Sequence, residues 1–243
     1  MFRVLPGHAE RVKQAIDTLA ECYGQIFAND MLITLDRNVS FLEDARFMQA
    51  FDAAATDETE KSILWRVHVL CWFAANSLRV DGDFVECGVY RGLSTVVAAR
   101  YLDFGAQARH WHLYDTFSGI PADQLDAGHV NPDFFQASGL YEAAVKRFAP
   151  YPNIRVVRGR VPEVLAEGAP ERVAFLHLDM NSSAAERAAL EFFADRLQPG
   201  AFVVLDDYGW RGYREQKLSA DRFFSQRGKP VMELPTGQGV VMI

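Results

Sequence analysis

The chain predicts an α/β protein built on a doubly wound, mostly parallel sheet with a reversed strand near its C-terminal end. Three observations support this. From Asp83 onward, short apolar runs alternate with amphipathic segments, the strand-helix-strand pattern of parallel sheets. Several of these runs lead into acidic residues, where such sheets carry their ligand-binding loops. The last two runs, Val231 to Leu234 and Gly239 to Ile243, are joined only by Pro235-Thr236-Gly237-Gln238. That link suits an antiparallel turn and is too short for a crossover.

The elements follow in order. Residues 1–80 read as a helical N-terminal extension that caps a substrate, and residues 81–243 as the sheet domain. One helix is expected from His8 to Phe27. A second begins at Asp57, with Glu60 three residues on as in a capping box. Ile63, Leu64, Val67, Leu70, Cys71 and Ala74 continue it at helical spacing. Between them, Met31 to Asp44 fits a short strand or a loop on the substrate side. Strands are then expected at Phe84 to Val89, Trp111 to Tyr114, Ile154 to Val157, Val173 to Leu178 and Ala201 to Leu205. Helices should fill Leu93 to Leu102, Tyr141 to Phe148, Ser183 to Leu197 and Gln216 to Arg227. Crossovers of this kind are right-handed.

Charge narrows the partners. With 25 basic and 32 acidic residues the net charge is −7, and no basic stripe with interleaved aromatics occurs. Nucleic acid and anionic membranes are therefore unexpected partners. Cys22, Cys71 and Cys87 are odd in number and widely spaced, which suits free buried thiols in a reducing compartment. The N-terminus lacks a basic-then-apolar leader pattern, and no apolar run reaches spanning length. A soluble, cytoplasmic protein is expected.

Three acidic features carry the chemistry. Glu86-x-Gly88-x-x-x-Gly92 joins the first strand of the sheet to its helix through Val89, Tyr90 and Arg91, with Ser94 just beyond. This is not the Gly-x-Gly-x-x-Gly dinucleotide fingerprint: the acid precedes the first glycine and no glycine pair cradles phosphate. A cofactor without phosphates, S-adenosylmethionine, suits such a turn, although a plain strand-to-helix turn would have the same residues. Asp115, followed by Thr116, ends the next strand, where a carboxylate binds a ribose diol. A nicotinamide cofactor would use the same position, and a simple turn cap is the bland alternative. Asp179 ends the fourth strand, and Asp206 and Asp207 end the fifth, its expected neighbour. Three carboxylates brought together repel unless protonated or neutralised by a cation. Oxygen ligands suit Mg2+ or another divalent cation, and Asp179 is placed to act as general base.

Other residues read as structural. His177 shares a strand face with Asp179 but suits a hydrogen-bonded core position. His129 lies in the polar stretch Ile120 to Ala137, a candidate lid. His68, His110, His112, Trp65 and Trp72 suit packing, and Ser182-Ser183 a helix N-cap. The N-terminal aromatics hint at a homodimer.

Together, "FVECGVYRGLST", "YDTFSGIP", "VAFLHLDM" and "LQPGAFVVLDDYGW" resemble the macrocin O-methyltransferase family over Phe84 to Trp210. The resemblance implies a Rossmann-like class I methyltransferase fold. It also implies S-adenosylmethionine-dependent, metal-dependent transfer to a hydroxyl of a sugar or other small natural product. Glu86, Gly88 and Asp115 would then contact the cofactor, with Gly159 and Arg160 near its adenine. Asp179, Asp206 and Asp207 would hold the metal. The chain departs from the family where Asp-x-Asp-Leu-Tyr is replaced by Asp179-Met180-Asn181-Ser182-Ser183. Two rival readings are a nicotinamide-dependent oxidoreductase and a non-catalytic S-adenosylmethionine-binding protein. The absent phosphate loop weighs against the first, and retention of all three aspartates against the second.

Overall fold

A computed structural model of the chain describes residues 4–127, 136–166 and 168–243. The chain forms two compact units, Met1–Val69 and Leu70–Ile243.

The first unit is not wholly helical. Helix α1 covers Ala9–Tyr23 and stops short of the expected Phe27. The cause is Gly24, which takes a left-handed φ of 72° and donates its N–H to the Ala20 carbonyl, a glycine helix stop. The chain then forms an antiparallel hairpin, β1 (Ile26–Asn29) with β2 (Leu32–Leu35), which settles the ambiguous segment as strand. Its two turn residues, Asp30 and Met31, both have positive φ, as tight hairpins require. Helix α2 (Ala45–Asp52) is capped by the Asp44 carboxylate. Asp57 caps the short α3 (Glu58–Lys61), while Glu60 reaches back to the N–H and hydroxyl of Thr56. Phe27, Phe41, Phe47, Trp65 and His68 pack ring against ring. Burial there lowers the pKa of His68, against the opposing pull of Asp44. Helix α4 spans Leu64–Ser77.

The second unit is a seven-stranded sheet. In chain order it contains β3 (Asp83–Cys87), α5 (Leu93–Leu102), β4 (Trp111–Asp115), α6 (Leu140–Phe148) and β5 (Ile154–Arg158). Next come β6 (Val173–Leu178), α7 (Ser183–Phe193), β7 (Leu197–Leu205), α8 (Arg214–Ser225), β8 (Met232–Glu233) and β9 (Gly239–Met242). The spatial order is β5-β4-β3-β6-β7-β9-β8. Pairings from β5 to β7 are parallel, and β9 runs antiparallel to both neighbours, so the reversed strand is where the short link placed it.

Alternate residues face opposite layers. Phe84, Trp111 and Phe175 pack with Phe104 on one face. Val85, Leu176 and Val203 join Leu190, Phe193 and Phe223 in the cluster on the other. One boundary differs from expectation. Helix α7 ends at Phe193, and Leu197 opens β7 by pairing with Val173. The register then slips between Val173 and Phe175, which absorbs Pro199 and the positive-φ Gly200.

The three cysteines are free; Cys71 and Cys87 are buried as expected, but Cys22 is exposed. Trp72 is 51% exposed. No helix among the described residues is long and apolar enough to cross a membrane.

Candidate active site

Backbone ladders continue one residue past the strand ends and so fix the site. The Gly88 N–H donates to the Tyr114 carbonyl, Gly159 to Asp115, Asp179 to Cys87 and Asp206 to Leu178. The carboxyl ends of β3, β4, β6 and β7 thus stand side by side. Gly88 has φ 91°, and a Cβ there would sit 2.0 Å from the Asp179 carbonyl oxygen. Only glycine fits this approach. Tyr90, also with positive φ, and Gly92 carry the turn into α5.

Asp115 organises that turn. Its Oδ2 accepts the N–H groups of Val89 at 2.6 Å and Tyr90 at 2.8 Å. Its Oδ1 accepts the Phe117 N–H at 2.6 Å. Three amides therefore fix the carboxylate's orientation; Oδ2 already accepts two of them, and Oδ1 keeps a lone-pair site for a further donor. Beside it opens a cleft. Gly88, Tyr90, Asp115, Thr116, Gly159 and Asp179 line it, together with Ile120, Pro121 and Gln124 from the segment after β4.

Glu86 lies beneath this surface at 2% exposure. It accepts a hydrogen bond from the Thr95 hydroxyl, and its other oxygen meets His177 Nδ1 at 2.8 Å. His177 Nε2 lies 3.5 Å from Asp206 Oδ1, an ion-pair contact. Burial opposes charge on this imidazole, but Asp206 and Glu86 outweigh it and raise its pKa to about 10. His177 is thus the hydrogen-bonded core histidine its position suggested, and a cation shared by two acids. Asp206 also accepts from Gln238 Nε2 at 2.8 Å.

Asn181 Nδ2 donates to Asp207 Oδ2 and, at 3.5 Å, to Asp179 Oδ1. The amide therefore sits between two of the three aspartates. Its φ of 52° is one that asparagine tolerates well. Glu186 on α7 is a fourth acid that sequence reasoning missed. Burial, then Asp207, Asp126 and Asp206, raise its pKa to about 8, against a hydrogen bond from the Met180 N–H. A signal was present: Glu186 falls at helical spacing with Ala189, Leu190 and Phe193, all on the buried face.

Of the residues expected to contact a nucleoside, Gly88, Tyr90, Asp115, Thr116 and Gly159 come together in the cleft. Val89 contributes its N–H to Asp115, Gly92 N-caps α5, and Arg160 pairs with Asp123 and Glu163. Glu86, Arg91, Ser94 and Arg160 are not among the residues lining the cleft. Atoms of His177, Asp179 and Asp206 lie within 4.8 Å of one another. His110 and His112 contact Asp83 at the opposite end of the sheet. His129 and the middle of the candidate lid lie outside the described residues.

Residues 68–229 match the family model described as macrocin O-methyltransferase (TylF). A tetracenomycin-C 4'-O-methyltransferase of Streptomyces olivaceus, acting on a dimethoxy-rhamnosyl derivative by its name, is 30% identical over 140 residues. Those residues cover 53% of this chain and 54% of that protein. The mycinamicin III 3''-O-methyltransferase of Micromonospora griseorubida is 30% identical over 142 residues, covering 53% and 56%. The chain thus spans about half the length of the curated relatives it matches. In fold it is similar to the O-methyltransferase NovP, with TM-score 0.64 and 20% identity over 74% of this chain and 79% of that one. It is also similar to the calicheamicin methyltransferase CalS11, with TM-score 0.63 and 16% identity over 99% and 94%. The sheet order and these neighbours give a class I methyltransferase fold. With the family model spanning most of the second unit, the chain belongs to the macrocin O-methyltransferase family.

Proposed function

We propose that the protein transfers a methyl group from S-adenosylmethionine to a hydroxyl oxygen of a sugar-bearing small molecule, with Mg2+ held by Asp179, Asp206 and Asp207. The observation that carries this reading is the contact of Gly88 with the Asp179 backbone. It sets the cleft directly against an acid cluster. The relatives' named sugar positions support the acceptor class.

Asp115 takes the ribose diol, its carboxylate fixed by three amides. Gly88, Tyr90, Thr116 and Gly159 form the surrounding wall, while Arg160 is engaged outside it by Asp123 and Glu163. Glu86 acts from below through Thr95 and His177. S-adenosylmethionine supplies an electrophilic methyl group, and the cleft's main task is to align it with the acceptor oxygen. Asp179 accepts the hydroxyl proton.

The acids fit a hard cation by their chemistry. All three offer carboxylate oxygens, and the pKa of Glu186, raised first by burial and then by Asp207, marks a fourth acid beside them. His177 Nδ1 is taken by Glu86 and its Nε2 faces Asp206, so this reading assigns the cation to the carboxylates. A bound divalent cation would lower the pKa of the acceptor hydroxyl.

Methyl transfer from labelled S-adenosylmethionine to a panel of glycosides should require Mg2+ and stop on chelation. Asp179→Asn and Asp206→Asn should each lower turnover by about 10²–10⁴-fold. Full turnover in both variants, or no binding of S-adenosylmethionine in calorimetry, would refute the proposal.

A further inference from the structure

Asn181-Ser182-Ser183, the run that departs from the family pattern, has a second set of contacts that points away from the acids. The Ser182 hydroxyl donates to the Gln124 carbonyl at 2.6 Å, in a buried position. The Ser183 N–H donates to Asp126 Oδ2 at 2.8 Å, and the Ser183 hydroxyl to Asp126 Oδ1. Gln124 Nε2 in turn donates to the Val161 carbonyl at 2.8 Å, also buried. Ile120, Pro121 and Gln124, on the segment so tied, form one wall of the cleft.

We propose that Asp126 with Ser183, and Gln124 with Ser182, form a latch between this wall and the start of α7, and that the latch sets how long a nucleoside ligand stays in the cleft. This rests on the cofactor reading above.

Three physical points favour it. The bonds to Asp126 are charge-assisted and twofold on one carboxylate, the strong class of hydrogen bond. Asp126 also meets the first N–H of α7, an eleven-residue helix whose N-terminus favours an acid. Finally, the ties at Gln124 and Ser182 are buried, at 8% and 1% exposure. Arg160–Asp123, a further tie on this segment, joins exposed groups, and such pairs contribute little. The wall is therefore held from the start of α7 through Ser182 and Ser183, with Gln124 also anchored on Val161. A family run of Asp-Leu-Tyr would bring no hydroxyl to the place of Ser182 or Ser183 Oγ. Ser182 and Ser183 are thus positioning residues for the cleft wall.

The test uses the intact chain, with S-adenosylhomocysteine as probe in stopped-flow release. Asp126→Ala should release it about tenfold faster and Ser183→Ala about threefold faster. Asp126→Asn, which can still accept one bond, should fall between wild type and Asp126→Ala. Hydrogen exchange in residues 120–127 without ligand should accelerate in the same order. Thermal unfolding would show whether the variants fold. If wild type binds the probe and both alanine variants release it at the wild-type rate, the latch is refuted and the cofactor reading stands. Unchanged exchange in residues 120–127 would refute it as well. If wild type does not bind the probe, the cofactor reading fails and the latch's role in retention fails with it.

Discussion

Replacing Glu186 with glutamine should stabilise the protein above mildly acidic pH. The carboxyl is buried and faces Asp207, Asp126 and Asp206, so its pKa rises from 4.5 to about 8. The folded state therefore holds a proton that the unfolded chain releases. Stability tied to this group falls as pH rises from about 4.5 to about 8 and is level beyond. At about 1.4 kcal/mol per tenfold change in proton affinity, the loss is at most about 5 kcal/mol. Hydrogen bonds from the Met180 N–H at 3.4 Å and Gln216 Nε2 at 3.0 Å go to Oε1, an acceptor that glutamine keeps. Glutamine also mimics the neutral form. Urea unfolding from pH 4 to pH 9 should give nearly equal stabilities at the acid end. Glu186→Gln should gain roughly 2–4 kcal/mol over wild type at the alkaline end. His177 also contributes a fall with pH. Its raised pKa gives stability that is complete below about 6.5 and lost as pH approaches about 10, in both proteins alike. The difference between the two curves thus isolates Glu186. Parallel curves across the whole range would show that Glu186 is ionised in the folded state, and the reasoning would fail.

Two further outcomes follow from the same geometry. Gly88→Ala would put a methyl 2.0 Å from the Asp179 carbonyl at a left-handed φ, so the turn and Asp179 must part. Calorimetric unfolding should show a loss of about 3 kcal/mol or more together with weaker cofactor binding, and wild-type stability would refute the close approach. Asn181→Asp would place a carboxylate against Asp207 and Asp179 in place of an amide donor. Melting with chelator should drop by several degrees, and added Mg2+ should raise it more than in wild type; equal responses would show that the amide does not neutralise the acids.

Much of this was legible along the chain because it depends on local chemistry. The alternation of apolar runs and amphipathic helices carries the parallel sheet. The Pro-Thr-Gly-Gln link carries the reversed strand, since four residues cannot make a crossover. Gly88 and Asp115 announce a site because glycine and acid at strand ends serve a turn and a ligand better than a core. The end of α1 is also written locally, in Gly24, although the apolar pattern runs past it.

The rest needed the fold. Glu86 reads as an acid at a crevice mouth, yet the pairing of β3 with β6 sets it opposite His177 and buries both. Nothing in a single strand says which residue will face it from the next. Asn181 and Ser183 are two residues apart, yet the turn between them sends one to Asp207 and the other to Asp126, more than 50 positions upstream. Sequence determined which residues were available for chemistry, through spacing and backbone preference. Tertiary structure decided which of them meet, because that depends on strand order and register, set by burial summed over the whole sheet.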